Sequence, residues 1–348
     1  MRRITLRDVS RMTGLSTYTV SRALNGVDGV SDSSRKRVSE AASALGYVPN
    51  RAARELKGVL NSSIAVVTAG TSNAYYLDML NGITSALRST GHTVSILDVA
   101  MDGDYREDLE YAMVQRVLES RMSGVISALT LKEESIRRLR DWDVQTVFVD
   151  SSPPESHAEF PSVTTDNVGA SLLVGEHLAQ HGFVDWLFLA YPPVWSSRRD
   201  REKGLRDAAR RSGADIDVLE CANDAEAAAQ ALRAYLTTRS ARPDVLVTGN
   251  NPLLLGALGT LRELGIRIPD DMGLVCYDEF GWAPLIDPPI TVLNERAGEI
   301  GRLAAQMLAG LIHDKAMLDD PAEFRFGPEH QIKVPVDLVV RRSCGCGT

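Results

Sequence analysis

Apolar residues in the first sixty positions recur at three- and four-residue intervals, the spacing of helices with one buried face. Leu6, Val9 and Met12 form one such set, Val20, Ala23 and Leu24 a second, and Val38, Ala41, Ala42 and Leu45 a third. Thr5 stands at the N-cap of the first helix, and the turn "TGLS" with Gly14 separates it from the second. Ser16 can cap that second helix by accepting from a free amide, and Gly26 is placed to end it. The third begins after Ser31 and stops at Gly46. Off its apolar face the second helix is dense in hydrogen-bonding side chains: Thr17, Tyr18, Ser21, Arg22 and Asn25. Two short helices on a glycine-containing turn, braced by a third, predict a helix-turn-helix. A small bundle used only for packing fits the apolar pattern equally well.

From residue 62 the pattern becomes short apolar runs alternating with helical stretches. The runs are "SIAVVTA", "TVSILDV", "SGVISAL", "TVFVD", "DWLFLAY", "DIDVLE", "DVLVTG" and "MGLVCYD"; helices are expected at 75–89, 168–181, 199–212 and 253–264. Continuous apolar strands between helices predict parallel sheet covered on both faces. The runs suffice for two sheets, hence an α/β body of two lobes. The expected order is a helix-turn-helix domain over 1–49, a short helix and linker over 50–61, the body over 62–340 and a tail over 341–348. A last strand is read in "IKVPVDLVV".

Charge changes the picture for the head. Residues 1–60 hold 11 basic and 5 acidic residues, a balance of +6, whereas the remainder has 27 basic and 41 acidic, −14. A basic head on an acidic body suits a polyanion partner for the head alone. No apolar run has the length of a membrane span, and "MRRITLRDVSRMTG" lacks the apolar middle of a signal peptide, so a cytoplasmic location is expected. Cys221 and Cys276 are isolated. Cys344 and Cys346 form a C-G-C without a second ligand pair at metal-binding spacing, so no metal or cofactor is assigned.

Ligands of doubly wound sheets lie at the carboxyl ends of the strands. Asp150 follows "TVFV", Asn250 follows "VLVTG", Asp278 follows "GLVCY", and "SSRRDREKG" offers Arg198, Arg199 and Arg201. An enzyme reading finds no G-x-G-x-x-G after a strand, no P-loop and no G-x-S-x-G elbow, and "SSPPESH" is not a triad. A sugar-binding transport protein would share the body but not the basic head.

The stretch from Thr5 to Gly58 resembles the head of the lactose-repressor (LacI/GalR) family of bacterial transcriptional regulators, most specifically in "TVSRALNG" and "GYVPNRAAREL". "TTDNVGASLLVGEHL", "RDREKGLRDA" and "LGIRIPDDMGLVCYDEFGWAPLIDPPITVL" carry the resemblance into the body, where it implies a periplasmic-binding-protein-like fold. It implies a homodimer on double-stranded operator DNA. Thr17, Tyr18 and Arg22 would enter the major groove, with arginine able to bridge guanine O6 and N7. Ser16, Thr19, Ser21 and Asn25 would touch phosphates, and Thr5 and Asn50 join the contact set. Over 50–61 the resemblance implies a hinge helix in the minor groove, with Leu56 as apolar wedge and Ala53 beside it.

In the body the resemblance assigns Arg199, Asn250 and Asp278, with Asp150, to a small-molecule effector that controls DNA affinity. A sugar fits carboxylates and amides that grip hydroxyls, with Tyr75, Tyr76 and Trp282 as candidate aromatic faces that core packing could equally claim. Asn251 stands where the family usually carries aspartate. Arg199 with Arg201 would suit a sugar acid or sugar phosphate, unless Arg201 turns away to pair with an acidic residue.

Overall fold

A computed structural model describes residues 4–24, 28–47, 63–68, 73–99, 105–318 and 325–346. Asn25, Asn50, Ala53 and Leu56 of the expected DNA contacts lie outside the described residues. The chain divides between Asn61 and Ser62 into two compact units.

The first unit holds α1 (Leu6–Thr13), α2 (Thr17–Leu24) and α3 (Asp32–Leu45). Thr5 caps α1: its amide and hydroxyl both donate to Asp8, at 2.9 and 2.7 Å. Ser16 caps α2, accepting from the Thr19 amide at 3.0 Å. The predicted apolar faces meet in one core of Val9, Val20, Ala23, Val38, Ala41 and Ala42, but Met12, expected on the buried face of α1, is 55% exposed.

The second unit is built on two six-stranded sheets. Lobe 1 contains β1 (Ser63–Thr68), β2 (Thr93–Asp98), β3 (Gly124–Ser127), β4 (Gln145–Val149), β5 (Ser162–Thr165) and β11 (Gln331–Val334), in the order β11-β5-β4-β3-β1-β2 and parallel throughout. Lobe 2 contains β6 (Asp185–Ala190), β7 (Asp215–Glu220), β8 (Val245–Thr248), β9 (Gly273–Tyr277), β10 (Thr291–Asn294) and β12 (Asp337–Val339). Its order is β12-β10-β9-β8-β6-β7, with β12 antiparallel to β10. The inner strands β1, β3, β4, β6, β8 and β9 are buried almost throughout, as strands covered by helices on both faces are, whereas the edge strands β2 and β7 are partly exposed.

Lobe 1 carries α4 (Ala74–Leu87), α5 (Glu107–Glu119) and α6 (Glu133–Asp141); lobe 2 carries α7 (Asn167–Gln180), α8 (Ser196–Ser212), α9 (Ala225–Thr238) and α10 (Asn251–Glu263). Helix α11 (Ala297–Ala316) leaves β10 of lobe 2 and packs on α4 and β4 of lobe 1. The chain therefore passes between lobes three times: from β5 to α7, from β10 to α11, and from β11 to β12.

Three features differ from the sequence reading. Strands β5 (SVTT) and β10 (TVLN) hold only one and two apolar residues, too few to show as apolar runs. "IKVPVDLVV" is two strands in two sheets, interrupted at Pro335, which has no N–H to give a ladder. Residues 341–346 are no tail: Ser343 and Cys344 are fully buried. The Ser343 hydroxyl donates to the Leu274 carbonyl at 2.6 Å and accepts from the Thr291 amide at 2.8 Å. Among the described residues no helix is long and apolar enough to cross a membrane.

Candidate ligand cleft and DNA-reading helix

Strands β4, β8 and β9 end at the cleft between the lobes, as the parallel-sheet rule requires. Asp150 and Asp278 leave their strands with φ of 61° and 68°, a left-handed conformation in which aspartate is over-represented. That bend turns both carboxylates into a shared, nearly closed cavity of about 20 Å³. Lobe 1 contributes Asn73, Tyr75, Tyr76 and Asp150; lobe 2 contributes Tyr191, Trp195, Ser197, Arg201, Asn223, Asn250 and Asp278.

Asp150 accepts from the hydroxyls of Tyr75 at 3.3 Å and Tyr76 at 3.0 Å. Burial pushes its carboxyl up to about 6; Arg201 opposes the rise and Asp278 adds to it. Asn73 spans the cleft: its amide nitrogen donates to Asp278 at 3.4 Å and its oxygen accepts from Asn251 at 3.2 Å. Asn250 caps α10 through the Leu253 amide and donates to Asn223 at 2.7 Å. Asn251, placed where aspartate was expected, thus serves the contact between lobes.

The arginine in the cavity is Arg201, not Arg199. Helix α8 begins at Ser196, so residues 198–201 are already helical. At 3.6 residues per turn, side chains two positions apart point roughly 200° apart. Arg199 consequently faces solvent, whereas Arg201 is 2% exposed. Arg201 does pair with an acid, as one alternative held, but it does so inside the cleft. Its Nη2 lies 2.9 and 2.8 Å from the two Glu295 oxygens and 3.7 Å from Asp278. Its Nη1 donates to the Gly249 carbonyl at 2.6 Å and its Nε to Asn167 at 3.2 Å. Burial alone would lower the guanidinium pKa, yet the surrounding carboxylates, Glu295 foremost, hold it raised.

Trp282 is also displaced from its expected place. It is 37% exposed, its ring 4.0 Å from that of Phe280, and it does not line the cavity. Tyr75 and Tyr76 do line it, joined by Tyr191 and Trp195, whose rings meet edge-on at 5.7 Å. Trp195 Nε1 is buried and has no hydrogen-bond partner among the described residues. Neither Tyr191 nor Trp195 was singled out from sequence; their position just beyond β6 was the available signal.

In the first unit, α2 buries Val20 and Ala23 and leaves Tyr18 67% exposed, with Ser16 and Thr17 exposed beside it. Thr19, Ser21 and Arg22 are half-buried. Arg22 donates to the Tyr18 hydroxyl at 3.0 Å and to the Asp28 carbonyl, and its guanidinium lies 5.5 Å from the Tyr18 ring centroid. One basic and one aromatic group are thus held as a unit on the outer side of the second helix.

Comparison with known proteins agrees with both parts. Residues 5–50 match the family described as bacterial regulatory proteins, lacI family, and residues 176–344 match the periplasmic binding protein-like domain. The chain is 25% identical to the HTH-type transcriptional repressor PurR of Vibrio cholerae serotype O1, over 89% of this chain and 92% of that protein. It is 29% identical to the HTH-type transcriptional regulator RegA of Clostridium saccharobutylicum, over 91% and 94%. The lac repressor dimer solved with operator and the anti-inducer ONPF superimposes with a TM-score of 0.81 at 25% identity, covering 99% of each chain. Head and body together define a DNA-binding transcriptional regulator of helix-turn-helix type on a two-lobed α/β body. The chain belongs to the lacI family of bacterial regulatory proteins.

Proposed function

We propose that the cleft binds a neutral polyhydroxylated small molecule of sugar type, and that this ligand sets the operator affinity of a homodimer. The observation that carries the proposal is the convergence of Asp150, Asp278 and Asn250 on one cavity walled by Tyr75, Tyr76, Tyr191 and Trp195. Carboxylates and amides grip adjacent hydroxyls, and rings cover the C–H face of a sugar. A sugar acid or phosphate fits less well. All three nitrogens of Arg201 already donate to protein acceptors, and Asp150, Asp278 and Glu295 surround it with negative charge.

On DNA, Thr17, Tyr18 and Arg22 are the base readers in this proposal. Ser16, Thr19, Ser21 and Asn25, with Thr5 and Asn50, position the backbone; Leu56 with Ala53 widens a base step between two half-sites. The support is the exposed polar side of α2 on a basic head.

A thermal-shift screen against neutral sugars, sugar acids and sugar phosphates tests the ligand class. A neutral sugar at one hundred times its Kd adds about 2.7 kcal/mol to stability. Asp278→Ala is expected to abolish that shift. Stabilisation by anionic sugars alone would overturn the neutral-ligand reading.

A further inference from the structure

At the end of α7 far along the chain from the cleft residues of its first turn, two histidines meet the C-G-C motif. His177 and His181 are one helical turn apart and so share a face. His177 Nε2 lies 3.3 Å from Cys344 Sγ and 4.0 Å from Cys346 Sγ, and His181 Nε2 lies 3.0 Å from Cys346 Sγ. All four potential ligand atoms fall within 4.8 Å of one another. We propose that His177, His181, Cys344 and Cys346 form a Cys2His2 zinc site that pins the C-terminal segment to α7.

The geometry matches the ion. Tetrahedral zinc, with bonds of about 2.3 Å to sulfur and 2.0 Å to nitrogen, sets neighbouring sulfur and nitrogen donors roughly 3.5 Å apart. The observed separations of 3.0, 3.3 and 4.0 Å bracket that value, so four small side-chain movements close the shell. Two thiolates and two neutral imidazoles cancel the charge of the ion, which suits a site where Cys344 is buried. Gly345 between the cysteines has φ of 87°, a conformation L side chains rarely adopt, and it is this bend that lets both thiols face α7.

The surroundings are also those of a ligand shell. The Thr291 hydroxyl is 3.1 Å from Cys344 Sγ, and the Phe183 ring stacks on His181 at 5.4 Å with a 15° interplanar angle. Such outer contacts orient metal ligands. A disulfide between Cys344 and Cys346 would leave the two imidazoles without a role. Both cysteines are free thiols in this structure. With four protein ligands the shell has no open position, the arrangement of a structural rather than a hydrolytic zinc.

The test uses the full chain, purified without chelator and dialysed against buffer with zinc, then measured for metal by plasma mass spectrometry. About one zinc per chain is expected for the wild type. Cys346→Ser and His181→Gln, at half-buried positions, are expected to lose it, while Cys221→Ser keeps it. Chelation should lower the Tm of the wild type and leave that of Cys346→Ser unchanged. Cobalt(II) substitution of the wild type should give the absorption of a tetrahedral thiolate site, a readout that needs no variant to fold. Stoichiometric zinc retained by both ligand variants, or a zinc-free wild type with no cobalt thiolate band, would overturn the proposal.

Discussion

Asp150 shows how much one side chain can carry. Its strand end bends through a left-handed conformation, its carboxylate takes two tyrosine hydroxyls, and burial lifts its pKa from 3.8 to about 6. The folded state therefore holds a proton that the unfolded chain releases at lower pH. Stability without ligand should rise as pH falls through about 6, the gain being complete below 3.8. A ligand whose hydroxyls donate to the ionised carboxylate shows the opposite trend, with a thermal shift that grows as pH rises through the same window. Melting curves from about pH 5 to 8 check both slopes, and Asp150→Asn should flatten both. Arg22 makes the equivalent case on α2. Arg22→Ala should reduce discrimination between operator variants by roughly 1–3 kcal/mol, read from binding to a set of single-base substitutions. An unchanged preference would remove Arg22 from the reading role.

Between elements, the tightest approach described is that of α4 and α11. A Cβ on Gly82 would lie 2.0 Å from the Gly298 carbonyl oxygen, and one on Gly301 would lie 2.1 Å from the Met79 oxygen. Backbone meets backbone there, so neither helix can yield by rotating a side chain. Gly82→Ala should cost roughly 1–3 kcal/mol in denaturant unfolding, whereas Asn81→Ala, one position away and exposed, should change little. Helix phase also bears on the cleft: the expected helix over 199–212 already set Arg199 and Arg201 about 200° apart, so only one of them could face the cavity, and the resemblance pointed to Arg199. Which face of α8 packs inward was settled by the fold, which buries Arg201 and leaves Arg199 in solvent.

Across the whole body, Arg201 joins the cleft to the passages between lobes. It touches Asn167 at the first passage and Glu295 at the second while lining the ligand cavity with Asp278. On the proposed function, a ligand that draws on Arg201 or Asp278 would alter these contacts at the chain crossings and so link lobe angle to binding. Such coupling is reciprocal: any factor by which a ligand changes operator affinity is the factor by which operator changes ligand affinity. The alternation of apolar runs and helices along the chain determined the three-layered α/β lobes, and helical periodicity with a basic balance determined the reading head. Those properties are local, since each segment's burial is written in its own residues. Only the tertiary structure decided which strand ends face each other, that "IKVPVDLVV" serves two sheets, and that His177 meets Cys344 across 167 positions of chain. Those outcomes depend on chain crossings and helix phase, and a contact between distant segments leaves no period in either of them.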